Sequence, residues 1–155
     1  MPGNVKTTTK ISFLCAFIIS LLSISACAPP PETSVVTDVI DGDTIVIASG
    51  EKVRYIGIDT PEIYPEAEEH GIAAMMANRH LVEGKRVRLE RDVSDTDKYG
   101  RLLRYVYVDE LFINAELVRL GLAEATSYPP DTKNQRYFEE LEMIARETGR
   151  GMWAE

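Results

Sequence analysis

Short runs of alternating apolar and polar residues dominate the chain after residue 34, and this alternation predicts β-strands. Turn-forming pairs such as Asp-Gly and Ser-Gly separate the first runs, and Asp59-Thr60-Pro61 ends the third because proline cannot donate a hydrogen bond to a β-ladder. This spacing favours a barrel or a sandwich over a parallel sheet. The predicted strands cover residues 35–40, 44–47, 52–58, 85–91 and 102–108, and a tight turn leads from the last of them into residues 111–113.

Three segments have helical periodicity. Residues 72–83 are rich in Ala and Met and end at Gly84, whereas Asn114 would cap a short helix that ends at Gly121. A last helix follows Pro129-Pro130-Asp131 and carries its apolar residues on one face. Five strands and three helices in this order predict a mainly β, α+β fold, built on a five-stranded β-barrel of the oligonucleotide/oligosaccharide-binding (OB) type.

The N-terminal segment, residues 1–26, predicts a signal peptide. Lys6 and Lys10 form a short positive region before an apolar run over residues 11–22. As a helix this run would span about 18 Å, whereas the core of a bilayer is roughly 30 Å thick. The run is therefore too short to be a transmembrane helix.

The residues that follow predict a lipid anchor. Ile24-Ser-Ala-Cys27 resembles the bacterial lipobox, in which the Cys thiol is lipidated and becomes the first residue of the mature protein. An ordinary signal peptide cleaved at Ala26 is the alternative. The Pro-rich residues 27–34 would form a stiff tether to a single domain over residues 35–155. We therefore expect an extracytoplasmic, membrane-anchored lipoprotein.

Cysteine content and charge narrow the possibilities for the domain. Cys15 and Cys27 are the two cysteines of the chain, so the domain cannot contain a disulfide. Without Lys6 and Lys10, 15 basic residues stand against 25 acidic ones, which gives a net charge near −10. Composition alone therefore disfavours a nucleic-acid binder, because such proteins usually carry a basic footprint. Phosphate binding would have to rely on a metal ion and a few arginines.

Charged residues recur where the predicted strands end. Asp43 follows the first strand, Asp59 and Glu62 follow the third, and Arg101 precedes the fifth. Arg54 lies within the third strand, and alternation along that strand carries it towards the same mouth of the barrel. Each motif alone has an ordinary explanation, since an Asp-Gly pair between two strands is usually a simple turn. A barrel could, however, gather all of these side chains into one site.

The ordered set of motifs resembles the staphylococcal-type nucleases, and the resemblance covers nearly everything from Val35 onward. It implies a staphylococcal nuclease-like barrel that hydrolyses phosphodiester bonds of DNA and RNA with Ca²⁺, and we expect a monomer. The motifs are Asp41-Gly-Asp-Thr44, Arg54 with Asp59-Thr-Pro-Glu62, Asp97-Lys-Tyr-Gly-Arg101, Asn114-Ala-Glu-Leu-Val-Arg-Leu-Gly-Leu-Ala123 and Trp153.

The resemblance also implies which residues would bind the metal and activate water. Asp43, Asp59 and the backbone carbonyl of Thr60 would bind Ca²⁺. Hard oxygen ligands without Cys or His suit this ion better than zinc or copper. Glu62 would activate or orient the attacking water, because hydrolysis of a phosphodiester needs a base for the nucleophile.

Substrate contacts follow from the same resemblance. Arg54 and Arg101 would bind the scissile phosphate, since a guanidinium can donate to two phosphate oxygens and stays protonated. Lys98, Tyr99 and Tyr128 would contact the rest of the substrate. For the two tyrosines, ordinary packing against the barrel is an equally good explanation.

The chain also departs from the family pattern between the motifs. The segment between Glu62 and Asp97 is shorter than in the namesake, and Ile72 stands where many relatives have Glu. The alternative function is a catalytically silent OB-barrel lipoprotein that binds nucleic acid or protein. The combination of Glu62 with two arginines favours the enzyme, because binding alone would not need all three.

Overall fold

A computed structural model of the protein describes Gly3, residues 32–66 and residues 68–154. This part of the chain forms eight strands, three α-helices and one short 3-10 helix, Gly151–Trp153. The strands are β1 (Glu32–Val39), β2 (Thr44–Ile47), β3 (Lys52–Tyr55), β4 (Ile58–Asp59), β5 (Arg86–Glu90), β6 (Leu102–Val108), β7 (Leu111–Phe112) and β8 (Glu124–Ala125). The α-helices are α1 (Gly71–Val82), α2 (Ile113–Arg119) and α3 (Gln135–Glu147).

Five of these strands close into a barrel. Strand β1 pairs antiparallel with β2 and with β5, while β2 pairs with β3 and β5 with β6 in the same sense. A parallel pairing of β3 with β6, which sets Val53 opposite Leu102, completes the ring. An irregularity between Val36 and Asp38 bends β1, so that its first half pairs with β5 and its second half with β2. The predicted five-stranded OB-type barrel with three helices is therefore confirmed.

The core fills the barrel and the space beneath α3. Val53, Val87 and Val106 are fully buried inside the barrel, as expected for inward-facing residues on alternating strands. Outside it, the ring of Phe138 on α3 lies 5.5 Å from that of Phe112, centroid to centroid, and 6.2 Å from that of Tyr105. The same ring lies so close to Gly57 that a Cβ there would be 2.6 Å from it, so α3 packs against the segment that joins β3 to β4.

The first strand extends further towards the N-terminus than predicted, into residues that were assigned to the tether. Glu32, Thr33 and Ser34 belong to β1, where they pair with Leu89, Arg88 and Val87 of β5. These three residues show no apolar alternation, so a strand was not expected there. Pairing with β5, more than fifty residues away in sequence, extends β1 instead. Strand β1 therefore includes residues 32–34 ahead of the predicted start at residue 35.

Two further details differ from the sequence prediction. The strand expected over residues 52–58 is interrupted after Tyr55, because Gly57 adopts a φ of 78° and the chain turns into β4. Asn114 does not cap α2, which begins at Ile113 after Phe112. Instead its buried side chain accepts a hydrogen bond from the N–H of Val106 (2.9 Å) and donates one to the carbonyl of Ile56 (2.9 Å).

Apart from Gly3, the predicted signal peptide lies outside the described residues, as do Cys27 and the tether up to Pro31. Within the residues that the structure does describe, no helix combines the length and the apolar character needed to cross a bilayer.

Candidate active site

Three segments of backbone meet at the predicted site. Thr44, which follows Asp43, pairs with Arg54 across β2 and β3. The tight turn before β2 also approaches Thr60 so closely that a Cβ on Gly42 would lie 2.6 Å from the Thr60 hydroxyl oxygen. Glycine is therefore required at residue 42, and it allows the Asp43 and Asp59 segments to share one site.

Asp43 is the buried centre of this arrangement, with only 4% of its surface exposed. Its Oδ2 accepts hydrogen bonds from the backbone N–H of Thr60 (2.9 Å) and from the Thr60 hydroxyl (3.1 Å). Its Oδ1 accepts a longer one from the Thr44 hydroxyl (3.2 Å). The carboxylate is thus fixed in one orientation by neutral donors.

Arg54 is the direct cationic partner of both predicted metal ligands. Its Nη2 donates to Oδ1 of Asp59 at 2.5 Å, and its Nη1 lies 2.5 Å from Oδ2 of Asp43. The second contact is ionic, since Nη1 is buried without a hydrogen-bond partner of good geometry among the described residues. One guanidinium therefore faces two carboxylates at once.

Burial and like charges dominate the electrostatics of the site. Burial raises the pKa of Asp43 to about 7, although Arg54 pulls it down; the neighbouring charges of Asp41 and Asp59 raise it further. Burial lowers the pKa of Arg54, but Asp43 and Asp59 more than offset this and the net pKa lies above its ordinary value. The site therefore carries a surplus of negative charge that one arginine does not neutralise.

The donor set fits a hard cation that keeps part of its shell of water or substrate oxygens. Within the described ranges, no three His, Cys, Asp or Glu side chains are arranged to hold a metal ion together. Asp43 and Asp59, with the carbonyl of Thr60, would supply only oxygen donors, and Ca²⁺ takes six to eight oxygens of which some can be waters. The surplus negative charge around Asp43 favours a divalent cation at this place.

Glu62 lies on the exposed loop after Asp59. Its backbone is fixed by Glu68, whose Oε2 accepts from the N–H of Glu62 (3.0 Å) and whose N–H donates to the Glu62 carbonyl (2.8 Å). Partial burial raises the pKa of the Glu62 carboxyl, the charges of Asp41 and Asp59 add to this, and Arg54 opposes it. The Glu62 carboxylate is therefore within electrostatic reach of the same arginine and aspartates.

A cavity of about 520 Å³ opens on the other side of Arg54. Asp43, Asp59 and Glu62 are not among the residues that line it, whereas the other predicted substrate contacts are. The lining includes Arg54, Lys98, Tyr99, Arg101, Tyr128 and Asp131. Arg54 thus belongs both to the acidic site and to the cavity wall.

The loop between β5 and β6 presents the second arginine. Asp97 accepts the N–H of Arg101 (3.0 Å) on Oδ1 and the side-chain Nε–H of Arg101 (2.6 Å) on Oδ2. Burial would raise the pKa of Asp97, but these hydrogen bonds outweigh it and the pKa is lowered. The guanidinium of Arg101 also lies 5.5 Å from the centre of the Tyr99 ring, and the ammonium of Lys98 lies 4.9 Å from it.

The two predicted substrate tyrosines are exposed at the cavity. Tyr99 is 72% exposed and Tyr128 is 52% exposed, so neither packs inside the barrel. Tyr128 lies in a turn in which its carbonyl accepts from the N–H of Asp131 (2.9 Å). Asp131 in turn accepts from the N–H groups of Val93 (2.9 Å) and Ser94 (2.7 Å), which joins this turn to the Arg101 loop.

Four supporting residues were not assigned a role from the sequence. Asp41 accepts the N–H of Asp43 (3.0 Å), and Asn78 on α1 donates to the Asp41 carbonyl (3.1 Å) while it accepts from the buried Tyr55 hydroxyl (2.9 Å). The other two are Glu68 and Asp97. Asp41 and Asp97 lie within the motifs that carry the family resemblance, so their closeness in sequence to Asp43 and Arg101 could have indicated a supporting role. The sequence around Asn78 and Glu68 carries no such indication.

A family model of staphylococcal nuclease homologues matches residues 52–155. The chain belongs to the staphylococcal nuclease family. The matched range contains Arg54, Asp59, Glu62 and Arg101, whereas Asp43 precedes it.

Three curated relatives agree with this membership. The chain is similar to the thermonuclease of Staphylococcus intermedius, with 39% identity over 79% of this chain and 76% of the relative. It is also similar to the thermonuclease of Staphylococcus hyicus, with 37% identity over the same shares of the two chains. Similarity to the endonuclease YncB of Bacillus subtilis reaches 42% identity over 74% of this chain and 58% of the relative.

Proposed function

We propose that this member of the staphylococcal nuclease family is a Ca²⁺-dependent, extracytoplasmic nuclease that hydrolyses phosphodiester bonds of DNA and RNA. Its nuclease activity follows from the family and from the three related nucleases. The assignment of a metal site beside a phosphate site rests on the position of Arg54 between them. The same guanidinium contacts Asp43 and Asp59 on one side and lines the cavity on the other.

Asp43, Asp59 and the carbonyl of Thr60 would hold the metal ion. When bound there, Ca²⁺ supplies positive charge that polarises the scissile phosphate. Thr60 donates both of its hydrogen bonds to Oδ2 of Asp43, and among the described residues Oδ1 accepts only the longer bond from Thr44. Asp59 is 49% exposed in its side chain, so it can exchange water for a cation.

Arg54 and Arg101 would bind the phosphate from two sides of the cavity. A planar guanidinium can donate to two phosphate oxygens at once, and charge that grows on those oxygens in the transition state strengthens both contacts. Arg101 is already oriented by the two hydrogen bonds that it donates to Asp97. The pair therefore gives an acidic protein the local positive charge that a phosphodiester requires.

Glu62 would accept the proton of the attacking water. Partial burial and the charges of Asp41 and Asp59 raise the pKa of its carboxyl, which makes it a stronger proton acceptor than an ordinary surface glutamate. The two backbone hydrogen bonds with Glu68 hold the residue in place. A fixed base of this kind is typically worth about 10²- to 10⁴-fold in rate.

Lys98, Tyr99 and Tyr128 would bind the nucleotide next to the scissile bond. Exposed tyrosines give flat apolar faces on which a base of either DNA or RNA can stack, and such stacking is tolerant of sequence. Lys98 would add one phosphate contact at the same rim. This arrangement fits a nuclease with little base specificity.

Lipidation at Cys27 would anchor the protein on the outer side of a bacterial membrane. Because β1 begins at Glu32, the chain from Cys27 to the barrel is five residues long and reaches at most about 18 Å when fully extended. The domain would therefore remain next to the lipid surface. Two or more acyl chains suffice for stable anchoring of such a domain.

The nuclease proposal is tested with a purified chain that begins at Ala28, so that β1 stays complete. Plasmid DNA and RNA are incubated with this protein in Ca²⁺ or in a chelator. We expect cleavage of both substrates in Ca²⁺ and none in the chelator. Retention of both nucleic acids on the protein without cleavage would instead identify a silent binding module.

The anchor is tested by fractionation of bacteria that produce the full chain. Cys27→Ser should move the protein out of the membrane fraction or leave it unprocessed, and globomycin should make a larger wild-type precursor accumulate. Cys15→Ser is the matched control, because that cysteine lies in the peptide that is removed, and it should leave the protein at the membrane. A wild-type protein that is entirely soluble outside the cell would refute the anchor.

A further inference from the structure

Arg104 is a charged residue in an otherwise apolar row of the barrel interior. It lies on β6 between Leu102 and Val106, which are both buried, and only 5% of its own surface is exposed. A buried guanidinium is costly unless its donors are paired. Its partners therefore indicate what the fold gains from an arginine at this position.

The guanidinium makes four hydrogen bonds. Its Nε donates to Oε2 of Glu32 (3.1 Å), and its Nη2 donates to Oδ1 of Asp95 (2.8 Å). Its Nη1 donates to the carbonyls of Asp95 (2.9 Å) and Leu103 (2.8 Å). Arg104 therefore joins the first residue of β1 to Asp95, and it holds Asp95 by both its backbone and its side chain.

Asp95 belongs to the segment that carries the proposed substrate contacts. We call residues 92–101, between β5 and β6, the substrate loop. The first residues of this loop are held by contacts of Asp92 with Tyr105 and Lys133 and by bonds that Val93 and Ser94 donate to Asp131. Its middle is held at Asp95, whose carbonyl accepts from the N–H of Leu103 and from Arg104 and whose carboxylate accepts from Arg104. Within the loop, Asp97 binds Arg101. Two positions after Asp95 the chain reaches Asp97, and Lys98 and Tyr99 follow directly.

We propose that Arg104 is a positioning residue that holds the substrate loop against β1, so that Lys98 and Arg101 face Arg54 across the cavity. Glu32 orients the guanidinium from the opposite side. Identification of the loop residues as substrate contacts rests on the proposed function, whereas the ordering of the loop by Arg104 does not. The two parts can therefore be tested separately.

A purely structural role for Arg104 is the competing explanation. In that case its bonds would stabilise the barrel end, and loss of a partner would change only the free energy of unfolding. The positioning role predicts instead that the loop opens locally while the barrel stays folded. Variants of Asp95 distinguish the two, because its side chain is 57% exposed and its removal leaves the barrel core intact.

Asp95→Ala should loosen the loop, since it removes the charge-assisted bond to Nη2 of Arg104. We expect tryptic cleavage after Lys98 to become about tenfold faster in the folded protein. The kcat/KM on an oligonucleotide should fall about tenfold or more, because a misplacement of about 1 Å can cost about 10²-fold. The urea midpoint should also fall, because Nη2 of the buried Arg104 loses its partner, but the protein should remain folded in the absence of urea. Asp95→Asn keeps an acceptor oxygen and should recover most of both losses.

Arg91→Ala is the matched control, because Arg91 is the other arginine near the Asp95 carboxylate. Its Nη1 lies 3.9 Å away and its side chain is 59% exposed, so we expect wild-type cleavage after Lys98 and wild-type kcat/KM. Arg104→Lys keeps the charge, but a single ammonium cannot span Glu32 and Asp95, so it should behave like Asp95→Ala.

The positioning role is wrong if Asp95→Ala or Arg104→Lys shows wild-type cleavage after Lys98 at 20 °C, whatever happens to the urea midpoint. It is also wrong if kcat/KM falls only in proportion to the unfolded fraction. Should the wild type lack nuclease activity, the proposed function fails, and the cleavage rates still decide whether Arg104 orders the loop.

Discussion

Replacement of Asp43 by asparagine should stabilise the metal-free protein at neutral and alkaline pH. Asp43 is 4% exposed, and burial raises its pKa to about 7 against an ordinary value of 3.8. Ionisation of this carboxyl therefore costs folding free energy whenever no metal is bound. Asparagine has nearly the same shape and its amide oxygen can still accept from Thr60, but it carries no charge to desolvate.

The size of the effect follows from the displaced pKa. A displacement of roughly three pKa units corresponds to about 4 kcal/mol at pH values well above 7, which is an upper bound. The asparagine amide also loses the ionic contact with Nη1 of Arg54, which offsets part of this gain. We expect a net stabilisation of about 1–3 kcal/mol above pH 8, or several degrees in Tm.

The sign depends on pH in a defined way. Because the folded pKa of Asp43 lies above the unfolded one, the folded wild type holds its proton more tightly between pH 4 and pH 7, and wild-type stability falls as pH rises through this window. Asp43→Asn lacks this fall. The two proteins should therefore be similar near pH 4 and should diverge up to about pH 8.

Urea unfolding in a chelator from pH 4 to pH 9 measures this divergence. Asp59→Asn is the matched control, because it removes the charge of the other carboxylate that contacts Arg54. The side chain of Asp59 is 49% exposed, so its ionisation costs little folding free energy and this variant should not gain stability as pH rises. A difference between wild type and Asp43→Asn that is constant with pH, or a wild type that is the more stable protein at pH 8, would refute the reasoning.

Three further predictions concern the base, the core and the charge of the protein. Glu62→Gln should lower kcat by about 10²- to 10⁴-fold, and high Ca²⁺ should not restore it. The activity that Asp59→Asn loses should return in part at high Ca²⁺. A near-normal kcat for Glu62→Gln in a Ca²⁺ titration would show that Glu62 is not the base. Asn114→Ser should lose about 2–4 kcal/mol in urea unfolding, because two buried hydrogen bonds break. A helix-capping residue would tolerate serine, so an unchanged urea midpoint would contradict the bridging role. Substrate affinity should depend on salt with a log–log slope of about −2 to −3 on duplex DNA, since two arginines and Lys98 contact phosphate. A slope near −6 in binding titrations would reveal further basic contacts.

The barrel could be predicted because its signals are local. Period-two alternation and turn-forming pairs specify strands such as residues 44–47 and 102–108 without knowledge of their partners. The start of β1 could not be predicted in this way. Glu32 becomes part of a strand through its pairing with Leu89 and its bond to Arg104, and both partners are more than fifty residues away in sequence.

The sequence predicted which residues meet at the candidate site, but it did not predict the contacts that they make there. Asp43, Asp59 and Arg54 were expected to meet, and the structure brings both carboxylates to 2.5 Å from one guanidinium. That the arginine would contact the carboxylates directly did not follow from the spacing. Nor did the role of Glu68, because its bonds to the backbone of Glu62 depend on the path of a loop that carries no repeating pattern.

The contacts of Arg54 bear on how a protein of net charge −8 can bind a phosphodiester. Without metal, the guanidinium of this arginine contacts Asp43 and Asp59, so its positive charge is neutralised by carboxylates of the protein. A cation on those carboxylates would compete with Arg54 for the same oxygens. The guanidinium could then donate to a phosphate in the cavity, which Arg54 already lines. Metal and phosphate would then strengthen each other's binding, because linkage between two sites is reciprocal. Asp43 and Asp59 would then aid substrate binding, since the positive charge that faces the cavity would depend on a cation bound to them.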